Sequence, residues 1–116
     1  MDHDSLFPLD KVFAHAVVDY RVCNNTEVKS LATAILRLFE EGKAVALNCI
    51  GAQALSQAVK AATVANGELA QQGKMVIMTA AFANKTIKDR NSGEGIEMTT
   101  IRLLVGRIPL LIPFGG

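Results

Sequence analysis

The sequence predicts a two-layer α/β domain of element order β-α-β-α-β-β, with both helices on one face of a four-stranded mixed sheet. Three observations predict it. Short apolar runs, several of them β-branched, recur at residues 12–18, 44–50, 75–78 and 101–105. Two intervening segments carry apolar residues at helical spacing, first Val28, Leu31, Ile35, Leu38 and Phe39, then Leu55, Ala58, Val59, Ala62 and Ala65. A chain of 116 residues is long enough for one core and too short for two ordinary ones.

Taken in order, residues 1–11 mix Asp, Ser, Pro and Lys with Leu6, Phe7 and Leu9, and read as an irregular arm with a few apolar anchors. The domain proper is expected over residues 12–107. Residues 12–18 form its first strand, and residues 20–23 lead out of it. Asn24 is a good helix cap, and Glu27 three positions later approximates a capping box, so the first helix is expected over about residues 25–41 with Gly42 as its stop. Residues 44–50 are almost wholly apolar, as a central strand packed on both faces requires.

The second helix opens at Gly51 with the run GAQALSQAVKA, residues 51–61. Gln53, Ser56, Gln57 and Lys60 make the stripe opposite its small apolar face. Asn66-Gly67 is a place where the helix should loosen, and Gly73 ends the region. Two further strands are expected, within residues 74–83 and 96–106. The turn-rich residues 84–95 between them are either a functional arm or a mobile connection. The last segment, residues 108–116, is an apolar tail.

Composition narrows the function. Half of the residues are apolar, 20% are charged and the net charge is +1, so no global positive field draws the chain to nucleic acid or to an anionic membrane. Any such contact has to come from a local cluster. The apolar runs are too short to span a bilayer, and the acidic start Met1-Asp2-His3-Asp4-Ser5 lacks a secretory pattern, so a cytoplasmic protein that needs no membrane is expected. Two cysteines with no metal-type spacing suit a reducing compartment. Cys23 and Cys49 both follow strands; buried inert thiols are the favoured reading over a redox pair.

No catalytic constellation is legible. Asp89 and Glu94 have no partnering His, Ser56 has no neighbouring base, and His3 and His15 form no metal pair, so neither an enzyme, a metal site nor a cofactor is expected. Met75, Met78 and Met98 read as core packing, and Tyr20 as a packing residue or a weak stacking contact.

A binding edge is legible instead. If the first three strands run in one direction, their carboxyl ends and both helix N-termini share one end of the sheet. That end gathers Arg21, Gly51 and the segment bearing Lys85, Lys88 and Arg90. Free amides at a helix start hold phosphate without a strongly basic protein. A single glycine is equally at home in a plain tight turn, so spacing alone leaves both readings open.

The run from Gly51 to Ala61 resembles the signature of the stage V sporulation protein S family, with its Gly-Ala-x-Ala-Leu-x-Gln-Ala-Val-Lys-Ala pattern. The likeness extends to the strand before the first helix, the glycine ending that helix, and the strand pair ending near Leu103-Leu104-Val105. That family is grouped with the Alba-like fold, whose members form dimers and bind DNA or RNA. The resemblance therefore implies a nucleic-acid-binding regulatory protein, acting as a homodimer or higher homo-oligomer. It places contacts at Arg21, Lys85, Lys88 and Arg90, and matches Lys60 residue for residue. Gln53 and Gln57 stand where Alba proteins are often basic, so modest affinity and a shallow salt dependence are expected. The alternative is a protein-interaction module working through the tail and the glutamine face.

Overall fold

A computed structural model describes residues 16–88 and 92–110, the side chains at 85, 87, 88 and 96–98 excepted. Its elements follow the expected order: β1 (Val17–Val22), α1 (Val28–Glu40), β2 (Ala44–Cys49), α2 (Ala52–Ala70), β3 (Lys74–Lys88) and β4 (Gly95–Pro109). The sheet order is β1-β2-β4-β3, with β1 parallel to β2 and β4 antiparallel to both of its neighbours. It follows that β1, β2 and β3 all point the same way, and their carboxyl ends share one end of the sheet.

Alternation sorts the strands into two faces. Val22, Val45, Leu47, Cys49, Leu103 and Val105 lie on the helix side and join one buried cluster with Leu31, Ile35, Leu38 and Phe39 of α1. From α2 the cluster takes mainly alanines, Ala54, Ala58, Ala61 and Ala65, with Leu69. Large side chains on α1 thus meet small ones on α2, which lets the two helices pack closely. β2 is buried along its whole length, as its apolar sequence requires.

Several boundaries differ from the sequence reading. The first strand is displaced toward the C-terminus, to Val17–Val22, and residues 12–15 lie outside the described residues. α1 starts at Val28 and not at residue 25, and no side chain caps it. Asn24 is spent in a turn: the Cys23 amide donates to Thr26 Oγ1 (2.8 Å), and the Thr26 amide donates to the Cys23 carbonyl (3.1 Å). α2 runs unbroken through Asn66-Gly67, because Asn66 Oδ1 accepts the Val76 amide at 2.9 Å and ties the helix to edge strand β3. The segment 84–95 is largely strand as well. Ile101 is the last β4 residue paired with β2, so residues 83–88 and 95–100 continue past the sheet as a two-stranded arm, about 20 Å long at 3.3 Å per residue. β4 also takes in Ile108 and Pro109; residues 1–11, 111–116 and Arg90 lie outside the described residues.

Gly51 holds the junction between β2 and α2 at φ 92°, ψ 162°, a region essentially confined to glycine. A Cβ there would meet nothing within 4 Å, so the requirement is backbone conformation and not space. Gly51→Ala is expected to lower unfolding free energy by about 1–3 kcal/mol in urea titrations; an unchanged midpoint would show that the junction relaxes freely.

Candidate nucleic-acid interface

α2 begins without a side-chain cap and without an acidic residue in its first turn. Its leading amides are therefore not neutralised from within the helix, and the partial positive charge of the helix start faces outward. The start opens into a cleft of about 540 Å³ lined by Arg21, Cys23, Asn24, Gly51 and Gln53, among others. Three of the residues singled out in the sequence, Arg21, Gly51 and Gln53, thus share one concavity.

Gln57 belongs to a different role from the one its helical stripe suggested. It is half-buried, and its Nε2 donates to the Thr26 carbonyl at 2.8 Å. By that bond α2 holds the β1–α1 turn, and with it the wall of the cleft formed by Cys23 and Asn24. Lys60 is exposed one turn farther along the helix and does not line the cleft. Lys85 and Lys88 occupy arm positions opposite Met98 and Gly95. Phe82, paired with Ile101 and so level with Cys49, marks the root of the arm. Lys85 and Lys88 therefore follow at about 10 and 20 Å beyond the level of the sheet end.

The sequence reading missed a polar cluster on the sheet face away from the helices. Asn48 Nδ2 donates to Asp19 Oδ1 at 3.0 Å, and Arg102 Nη2 donates to the same oxygen at 3.2 Å. Asn48 is 2% exposed, and its Oδ1 finds no partner among the described residues. The available signal was an amide inside the apolar run of β2 and a cation inside the apolar run of β4; only register brings them side by side.

Neither cysteine is paired in a disulfide. Among the described residues no group of three or more His, Cys, Asp or Glu side chains is placed to hold a metal ion, and no helix is long and apolar enough to cross a membrane.

The Stage V sporulation protein S (SpoVS) family model matches residues 18–107. The chain belongs to that family. Among solved structures it is similar to Alba from Thermoplasma volcanium, with a TM-score of 0.51 at 9% identity, covering 78% of this chain and 98% of that one. At that identity the likeness is one of fold, and it covers nearly all of that chain. The Alba-like architecture expected from the motif at residues 51–61 is thereby established for this family member.

Burial pushes the Cys49 thiol up to about 11, because the apolar surroundings disfavour the thiolate. Cys49 therefore stays a protonated, buried thiol at pH 8, whereas Cys23 borders the open cleft. Iodoacetamide at pH 8 is expected to label the folded protein once, at Cys23, and twice after denaturation, as read by intact mass. Prompt double labelling of the native protein would contradict the burial of Cys49.

Proposed function

We propose that this SpoVS-family protein is a non-enzymatic regulatory protein of the cytoplasm that binds RNA or DNA with modest affinity and works as a homo-oligomer. The observation that carries the reading is the convergence, at one end of the sheet, of the uncapped start of α2, Arg21 and the root of an arm bearing Lys85 and Lys88. A phosphodiester crossing that end meets free amides and a guanidinium in the cleft, then lysines along the arm. Gln53 offers an uncharged donor and acceptor in the same cleft, and Lys60 extends the contact outside it; Arg90 joins the proposed set from its place in the sequence alone. Few cations are engaged, so the interaction weakens gently with salt.

The homo-oligomer reading is supported by a different surface. Phe82 on β3 is 81% exposed, and Met78 on the same strand and Val59 on α2 are each two-fifths exposed or more. α2 packs against β3, so these side chains belong to neighbouring elements at the free edge of the sheet. A second copy is the partner that would cover them in every molecule of the population. A hetero-partner at the same surface, or at the apolar tail of residues 108–116, is the competing reading.

Fluorescence anisotropy with labelled single- and double-stranded RNA and DNA at low salt tests the binding role. At least one of the four is expected to bind, and the paired change Lys85→Ala with Lys88→Ala should lower the magnitude of the log-affinity against log-salt slope by about one per lysine lost. No binding to any of the four would remove the proposal. Light scattering coupled to size exclusion is expected to show an oligomer that Phe82→Glu converts to monomer; a monomeric wild type would leave that surface to another partner.

A further inference from the structure

Arg21, Asn48 and Arg102 are adjacent in register on β1, β2 and β4. Strands lie about 4.8 Å apart, so the two arginines are rooted roughly 10 Å from one another, with the buried amide between them. All three fall on the sheet face away from the helices, at the same end as the cleft, which Arg21 also lines. We infer that Arg102 is a second phosphate-binding cation of this end of the sheet, held by Asp19 until nucleic acid displaces it. The inference rests on the nucleic-acid reading above and extends it to residues on the opposite face.

The Asp19–Arg102 pair has the character of an exchangeable latch. Both partners are substantially solvent-exposed, with Arg102 at 36% and Asp19 at 62% of their side-chain surface. Exposed pairs of this kind are weak and screened by salt, so a polyanion that presents phosphate oxygens to Arg102 replaces the carboxylate at small cost. The bidentate fork of a guanidinium fits a phosphate at least as well as it fits a carboxylate oxygen.

Asn48 makes the exchange reversible. Its amide donates to the same Asp19 oxygen that Arg102 uses, so the carboxylate keeps a fixed donor when the arginine leaves. The other end of the amide, Oδ1, is buried with no hydrogen-bond partner among the described residues, and Asn48 stands across from Arg21 in register. Asn48 thus sits in the middle of the row and shares the Asp19 oxygen with Arg102. Asp19, meanwhile, is a negative charge set in the path of a polyanion, and its effect on affinity is inhibitory.

The test uses full-length protein and a fluorescein-labelled single-stranded RNA over a series of salt concentrations. Arg102→Gln is expected to weaken binding by roughly three- to tenfold and to reduce the magnitude of the salt slope by about 0.7, the value of one phosphate contact on a single strand. Asp19→Asn keeps the shape and the Asn48 hydrogen bond, removes the opposing charge and frees Arg102; it is expected to tighten binding by about threefold or more. Circular dichroism confirms that each variant is folded. If the wild type binds and a folded Asp19→Asn variant binds no tighter, or Arg102→Gln leaves the slope unchanged, the latch is overturned while the nucleic-acid role stands. If the wild type binds no nucleic acid, the role itself fails.

Discussion

Ala54, Ala58, Ala61, Ala62 and Ala65 are fully buried along one side of α2, and the position of the cleft at the start of that helix depends on their size. They let the α2 backbone settle against α1, whose Leu31, Ile35 and Phe39 fill the space that the alanines leave. The axis of α2 in turn decides where Gly51 turns the chain and where the first free amides emerge. A larger residue at Ala58 would lift α2 off its neighbours, and overpacking of that kind strains the backbone on both sides. It would also pull Gln57, the preceding residue, away from the Thr26 carbonyl. Core packing and cleft geometry are therefore one constraint, transmitted through a single turn of helix.

A net charge of +1 makes this placement matter. A strongly basic protein holds nucleic acid wherever it touches; a nearly neutral one needs its few cations, and its uncancelled backbone dipoles, gathered at one place. The parallel β1–β2 pair does the gathering. It brings Arg21 at the end of β1 beside Gly51 after β2. Favourable groups are balanced by Asp19 on the other face, which keeps a cation occupied there.

How legible all this was in the sequence varied with burial. β2 and α1 were plain, since a fully buried strand is a continuous apolar run and a helix packed on one side shows 3.6-residue spacing. β1 was misplaced because Asp19, Tyr20 and Arg21 are exposed on an edge strand, and the apolar residues before them gave the stronger pattern. The sequence leaves residues 84–95 open between a functional arm and a mobile connection because a two-stranded ribbon beyond the sheet has no core to impose alternation; Asn84 and Thr99 pair across it through a long side-chain contact of 3.4 Å. That Gly51 and Arg21 share one end of the sheet was legible from their place at strand ends. Arg102 and Asn48 were not, since their adjacency follows from β4 entering the sheet between β2 and β3, against chain order.

That insertion also decides what the arm can transmit. Had β3 paired with β2, β3 would be the interior strand and β4 the free edge. With β4 in the interior, the strand that carries Thr99 and Thr100 of the arm continues directly through Arg102 to buried Leu103 and Val105. Thr100 is itself buried and its hydroxyl donates to the Ala83 carbonyl on the opposite strand at 3.2 Å, closing the root of the arm where it leaves the sheet. Along β4, Arg102 follows Thr100 by two residues and the buried Leu103 follows it by three. In the proposed role, contacts along the arm and contacts on the sheet belong to one hairpin, and nucleic acid engaging the first would be delivered in register to the second.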